Sequence, residues 1–220
     1  MQNEIETIRY LIDRYVTHPA VVVEAGCYDG MITLTLHEIV KKKLGRYIAL
    51  ECDPRSIHKI RCNQYFPSDV FLVEKAIADH DGTATLHISD GVSQDKFVYD
   101  CSSSILPPAD VKEDWPEIRF EQSIEVPCIT LDTLAKEHSI QHIDLIWADI
   151  QGAEAQMISG GSEILKHTKF LYLEHSGERE WYKGQWNLQQ MIDELSKLDF
   201  GVYKQFTFDI LFYNQKLITL

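Results

Sequence analysis

The stretch Val21-Val22-Val23-Glu24-Ala25-Gly26-Cys27-Tyr28-Asp29-Gly30 decides how this chain folds. Three consecutive β-branched residues read as a short buried strand. The glycine-containing turn from Glu24 to Gly30 ends it. A helix is expected next, over about 31–43, with Ile32, Leu36, Ile39 and Val40 on one face. Its last turn carries Lys41-Lys42-Lys43, which suit the negative end of a helix dipole, and Gly45 is read as a left-handed stop.

Outward from this unit the rhythm repeats. Upstream, Ile5, Ile8, Leu11, Ile12, Tyr15 and Val16 recur at helical spacing, so residues 1–18 hold an amphipathic helix closed by Pro19. Downstream, 47–51 is a second strand, Asp53-Pro54 caps another helix, and 70–74 is a third strand. Strand–helix–strand–helix–strand implies a parallel sheet with right-handed crossovers. The pattern breaks at Asp79-His80-Asp81-Gly82, a turn signal followed by an alternating strand, 83–88. Residues 89–122 have little periodicity and read as a long loop, so 79–128 is taken as an inserted hairpin and loop region.

Regular order returns with strands at 124–129, 143–147 and 170–173 and a short helix at 131–138. A further helix after Gly152 is expected to carry Ala153, Met157, Ile164 and Leu165. Asn187 caps a helix with Leu188, Met191, Ile192, Leu195 and Leu198, and two strands close the chain. No repeat or linker divides it, so residues 1–220 are expected to form one domain.

Composition narrows the function. The 220 residues are 45% hydrophobic and 25% charged, with net charge −13, which excludes disordered and low-complexity classes. The acidic balance argues against nucleic-acid partners, which need clustered Lys and Arg. No apolar run reaches the roughly 18 residues of a membrane span, so no membrane partner is expected. Cys27, Cys52, Cys62, Cys101 and Cys128 are odd in number and form no CxxC pair. Free thiols and the absence of an N-terminal secretory signal make the cytoplasm the expected location.

In open parallel sheets, ligands sit beyond the carboxyl ends of the strands. Gly26 and Gly30 allow close approach to the backbone there. Glu51 ends the second strand, 25 residues beyond Gly26, and can accept both hydroxyls of a ribose. A dinucleotide loop has three glycines as GxGxxG; this one has two, spaced GxxxG. It is also acidic: Glu24 and Asp29 flank it, and no Lys or Arg occurs between Arg14 and Lys41. Such a loop repels a pyrophosphate and welcomes a cation, which favours S-adenosylmethionine over NAD.

The same rim receives Asp149 from the strand at 143–147 and Glu174 and His175 from the strand at 170–173. Asp149 is a candidate contact for the methionine end or the acceptor. His175 is a candidate general base. Trp181, Tyr182 and Trp186 offer an aromatic wall for a sugar. Asp149, Glu174 and His175 are also cation-ligand types, but no metal is assigned.

Taken in order, several pieces resemble the FkbM-type methyltransferases, a branch of the class I S-adenosylmethionine-dependent fold. They are Glu24-x-Gly26-x-x-x-Gly30, Glu51-Cys52-Asp53-Pro54, Asn63 and Ala76-Ile77-x-Asp79-x-x-Gly82. Serines 102–104, Thr130-Leu131-Asp132, residues 144–154 and Leu171-Tyr172-Leu173-Glu174 complete the series. The resemblance runs from about Val21 to Glu174. It implies a single Rossmann-like domain with a mostly parallel seven-strand sheet, helices on both faces and an antiparallel C-terminal strand.

It also implies methylation of a hydroxyl on a sugar or small metabolite. On that basis Glu24, Gly26, Tyr28, Gly30, Glu51, Cys52, Ala76, Ile77 and Asp149 are expected to hold the cofactor. Ser103, Gln151, Glu174 and Trp181 are expected at the acceptor, and Asp149 and His175 in catalysis. A homo-oligomer is compatible with these features. The family usually starts the first motif with Asp and has Asn at Tyr28, Lys at Trp147 and Glu at Gln151. The alternatives are an NAD-dependent oxidoreductase and a catalytically degenerate ligand-binding module.

Overall fold

The computed structural model describes residues 2–96 and 98–220, leaving aside the side chain of Leu44. Strand β1 (Ala20–Ala25) lies central in a seven-stranded sheet. On one side β2 (Leu44–Leu50) and β3 (Val70–Val73) run parallel to it. On the other side follow β7 (Ile143–Ala148) and β8 (Thr168–Glu174), also parallel. The sheet ends with β10 (Asp209–Asn214) and β9 (Phe200–Gln205), β10 running antiparallel to both of its neighbours. A second sheet joins β4 (Ala76–Ile77), β6 (Arg119–Ile129) and β5 (Gly82–Asp90).

Helices cover both faces because the inner strands are apolar on both. Helices α1 (Gln2–Tyr15) and α2 (Met31–Val40) bury Ile8, Leu11, Ile12, Leu36 and Val40 on one face. Helices α5 (Leu131–Glu137), α6 (Glu154–Ser159) and α7 (Leu188–Ser196) bury Leu134, Met157, Met191 and Leu195 on the other. Burying one such side chain contributes about 1.5–3 kcal/mol.

The expected caps are present. Asp53 accepts from the Arg55 N–H at the start of α3 (Pro54–Cys62). Asn187 and Gln190 form a reciprocal capping box on α7, satisfying two backbone donors together.

Four expectations are corrected. Helix α2 stops at Val40, and Gly45 is not a helix stop but lies within β2. A Cβ on Gly45 would come within 2.7 Å of Pro19, so the glycine permits close strand contact. Lys43 serves another helix: its Nζ donates to the carbonyls of Ile12, Asp13 and Val16 at 3.0–3.2 Å, capping the end of α1. Ile164 and Leu165 do not extend α6, which ends at Ser159; they belong to a separate 3₁₀ turn, Ile164–His167. The segment 89–122 is not all loop. It holds a turn of helix, α4 (Val111–Asp114), and the first residues of β6.

Candidate active site

The carboxyl ends of β1, β2, β7 and β8 meet at one rim. The β1–α2 turn crosses closest: Gly26 has φ +82°, and a Cβ there would lie 2.0 Å from the Asp149 carbonyl oxygen. Only glycine lets the ends of β1 and β7 pass at this distance. Tyr28 follows in the left-handed region at φ 49°, which turns its side chain out over the rim.

Two cavities open here. The first, about 580 Å³ with its mouth, is lined by Gly26, Tyr28, Glu51, Cys52, Ala76 and Ile77, with Ser103, Asp149 and Gln151 on its far side. The second, about 1080 Å³ with its mouth, has an aromatic lining of Tyr99, Trp115, Trp147, Trp181 and Phe208. Gly26, Tyr28, Cys101, Asp149 and Gln151 line both, so the two spaces share one wall.

Glu51 is held by three backbone donors. Its Oε1 accepts from Cys52 (2.7 Å) and Asp53 (2.9 Å), and its Oε2 from Tyr28 (2.8 Å). Burial pushes its pKa up, while those three N–H groups oppose the shift. A carboxylate has about four acceptor positions, so one, on Oε2, stays free for a hydroxyl. Both hydroxyls of a ribose were expected to bind directly; the backbone has taken the other positions.

The inserted segment closes over the first cavity through a polar clasp. Tyr28 Oη donates to Asp100 at 2.5 Å, and Lys59 Nζ reaches both Tyr28 Oη (2.8 Å) and Asp100 (2.6 Å). Ser103 was expected at the acceptor but lines the first cavity instead. Its hydroxyl donates to Asp53 at 3.0 Å, and Arg55 bridges Asp53 and Ser103. It therefore ties the insertion to the start of α3.

At the shared wall, Gln151 Nε2 donates to Asp149 (2.7 Å) and to Glu174 (3.0 Å). Its Oε1 lies 3.1 Å from Tyr182 Oη, whose single proton is shared with the Ser102 carbonyl at 2.7 Å. Asp149 is accessible through the cleft; Glu174 is half-buried. Partial desolvation by the cleft walls raises the pKa of both, and the Asp149 charge adds to the effect on Glu174, which stands well above the usual carboxylate range. Asp209, opposite Glu174 in the β8–β10 ladder, is raised to about 6 by burial. Beneath them, fully enclosed Glu154 is raised to about 8.

Several expected residues stand apart. Glu24 lies inside the sheet, where Tyr47 Oη donates to it at 2.6 Å, and burial raises it to about 7. Gly30 shapes the start of α2 against the Phe66 ring and lines neither cavity. His175 also lines neither. It is buried, its Nδ1 accepts the Gly177 N–H at 3.1 Å, and burial lowers its pKa. One residue past Glu174, it turns to the opposite side, as strand alternation requires. The expected general base at His175 is thus misplaced.

Trp181 lines the second cavity and packs on Trp115 at 5.0 Å and Phe208 at 5.8 Å. Its wall partners differ, since Tyr182 is buried and Trp186 packs against the main core. Trp147, stacked on Tyr172 at 3.7 Å, forms part of the cleft floor. Sequence reading missed Lys59, Tyr99, Asp100, Cys101, Trp115 and Phe208. Tyr99, Asp100, Cys101 and Trp115 had as signal only the aperiodic segment 89–122; Lys59 in α3 and Phe208 before β10 had none.

A mostly parallel seven-stranded sheet with an antiparallel strand next to its edge, carrying a double cleft at its carboxyl rim, defines a class I methyltransferase architecture. Comparison with known proteins agrees. Residues 24–202 match the methyltransferase FkbM domain. The chain is 34% identical over 201 residues to the 2-O-methyltransferase NoeI of Sinorhizobium fredii (strain NBRC 101917 / NGR234), covering 90% of this chain and 80% of NoeI. Among solved structures it resembles methyltransferase FkbM from Methylobacillus flagellatus KT, with TM-score 0.53 and 12% identity. That match covers 89% of this chain but only 43% of the other protein. It also resembles SMU.1697c, a putative methyltransferase from Streptococcus mutans in complex with SAH, with TM-score 0.51 and 11% identity. There the match covers 95% and 96% of the two chains. The chain belongs to the FkbM methyltransferase family. It is a methyltransferase, and its methyl donor is S-adenosylmethionine. No helix among the described residues is long and apolar enough to cross a membrane.

Proposed function

We propose that this enzyme methylates a hydroxyl on a sugar or similar small polyol, with donor and acceptor in the two adjoining cavities. The observation that carries the reading is the shared wall: Asp149 and Gln151 line both spaces. Groups placed in the two cavities meet there, and alignment is the main requirement of a displacement at a methyl carbon.

The first cavity suits the donor by charge. Its carboxylates are Glu51, Asp149 and Asp100, the last already paired with Lys59; among the described residues the lining cation is Lys75, which faces Glu137 at 3.8 Å. A cationic ligand gains from this field, and a pyrophosphate is opposed by it, which also counts against a nicotinamide dinucleotide. Gly26 and Tyr28 form the floor for the methionine portion, Glu51 accepts one ribose hydroxyl, and Cys52, Ala76 and Ile77 edge the base. When bound, the donor supplies a methyl group on a sulfonium whose departure leaves a neutral thioether.

In the second cavity Trp115, Trp181 and Phe208 offer flat apolar faces for a sugar ring. The NoeI relative is named a 2-O-methyltransferase, which supports an oxygen acceptor. Asp149 takes the proton of the attacking hydroxyl as the new carbon–oxygen bond forms. Gln151 holds Asp149 and Glu174 in place by donating one N–H to each. Five free cysteines support a reducing, cytoplasmic setting.

The reading is tested by calorimetric titration with S-adenosylhomocysteine, followed by labelled methyl transfer to a panel of free and oligomeric sugars. Micromolar or tighter binding that is lost in Glu51→Ala, together with label on a sugar oxygen, is expected. Label transferred only to nitrogen or sulfur acceptors overturns the assignment.

A further inference from the structure

At the opposite end of the sheet from the active site, the chain entering β1, β7 and β8 brings His18, His142, Asp144 and Lys169 together. Asp144 is fully buried, and its Oδ2 accepts the Val21 N–H at 2.9 Å. His18 Nε2 lies 3.5 Å from Asp144 Oδ1, and His142 Nε2 lies 3.6 Å from Asp144 Oδ2. The two imidazoles meet edge to face at 4.6 Å. Each of the three residues offers one ligand atom, and these atoms lie within 4.8 Å of one another. The two His–Asp distances run to different oxygens of Asp144, so the side chains must close in by about 1 Å for a tetrahedral ion, whose bonds of about 2.0–2.2 Å hold its ligands roughly 3.3–3.6 Å apart.

The hydrogen bonding prepares the ring atoms. His18 Nδ1 lies 3.1 Å from the Pro19 carbonyl, which can only accept. The proton is therefore on Nδ1, and the Nε2 lone pair faces the cluster, the arrangement that orients a metal-binding histidine. His142 Nε2 is buried and has no hydrogen-bond partner among the described residues. The carboxylate beside it has been taken out of water and requires a positive charge nearby.

Lys169 now supplies that charge. Its Nζ lies 2.9 Å from Asp144 Oδ1 and 3.0 Å from His18 Nε2, among the three ligand residues. It also donates to the Tyr15 carbonyl at 3.2 Å, at the end of α1. The ammonium thus has a second anchorage to which it can withdraw.

We propose that His18, His142 and Asp144 form a site for a transition-metal dication, zinc by ligand preference, which displaces the Lys169 ammonium. Two imidazoles and a carboxylate are a zinc donor set. The His18 and His142 side chains are 37% and 43% exposed, so the ion has access from solvent and water completes its coordination. The ion joins the segment leading into β1 to the start of β7. Its effect falls on stability rather than on chemistry at the far rim.

The test uses tag-free full-length protein and zinc chloride, with calorimetric titration against a competing chelator and thermal melts. One zinc per chain is expected, with a higher Tm on binding. The double variant H18Q/H142Q loses at least tenfold in affinity and the Tm response, while S-adenosylhomocysteine binding is unchanged. K169M, which keeps the length of the side chain and removes its charge, binds at least tenfold more tightly than the natural protein. Failure of the natural protein to take up zinc overturns the proposal. So does uptake by K169M alone, which makes the lysine a permanent cation. Undiminished binding in H18Q/H142Q also overturns it, by placing the ion elsewhere, for example on the cysteines of the first cavity.

Discussion

The α-carbon of Gly26 faces the carbonyl oxygen of Asp149 so closely that a Cβ would stand 2.0 Å from it. This contact sets the distance between the β1 turn and the residue shared by both cavities. Gly26→Ala must push the two strand ends apart and adopt a left-handed conformation at φ +82°. A loss of roughly 3 kcal/mol or more is expected from clash and backbone strain together. Thermal unfolding checks the stability. Titration with S-adenosylhomocysteine checks that binding fails even in whatever fraction still folds.

Asp149→Asn removes the proposed base and keeps the shape. A fall in kcat of about 10²–10⁴ is expected, the usual contribution of general base catalysis, with cofactor affinity changed far less. A kcat within threefold of the natural enzyme removes Asp149 from that role.

The pKa values of Asp149 and Glu174 are both raised, so their protonated forms persist to higher pH than ordinary carboxylates. A base works only when deprotonated. Activity is therefore expected to rise with pH, and to do so at higher pH than an ordinary carboxylate base would allow. Gln151→Glu adds a third acid to the pair and is expected to move this rise to still higher pH. A pH–rate profile of each protein measures the effect.

Glu154 is raised to about 8 and Glu24 to about 7, both by burial. In the folded state they hold protons that the unfolded chain releases near pH 4.5. Their contribution to stability is complete below that pH and is lost as pH rises toward 7 and 8. Glu154→Gln stays neutral throughout. It is expected to melt close to the natural protein at pH 5 and above it at pH 8.5. Melting curves at the two pH values decide.

Phe208 is 51% exposed and lines only the second cavity. Phe208→Ala is expected to leave the fold and S-adenosylhomocysteine affinity intact while raising the acceptor KM severalfold, consistent with about 0.5–1.5 kcal/mol for one aromatic contact. A change in cofactor affinity instead of KM would contradict the division between the two cavities.

Much of the site was legible because it is local. Glu51 follows an apolar run, Asp53-Pro54 starts a helix, and the GxxxG turn follows three valines; each needs only neighbouring residues to be read. The acidic bias read from Glu24 and Asp29 did not carry over, since Glu24 is buried in the sheet and Asp29 lines only the second cavity; the donor cavity draws its carboxylates from Glu51, Asp100 and Asp149. The clasp of Lys59, Tyr28 and Asp100 was not legible, because its members come from three separated segments. Gly45 illustrates the opposite error. Glycine after a lysine run satisfies the local rule for a helix stop, but contact with Pro19 requires the glycine in a strand.

The chain by itself determined the alternation of strands and helices, the parallel sheet and the acid-rich rim, because periodicity and charge are properties of consecutive residues. Tertiary structure decided the rest. It turned Glu174 toward the cleft and His175 away, since neighbours on a strand face opposite sides. It also folded residues 89–122 over two cavities and let Gln151 join Asp149 to Glu174. Those contacts depend on how strands that are distant in the chain come to lie side by side, and only packing of the whole molecule settles that.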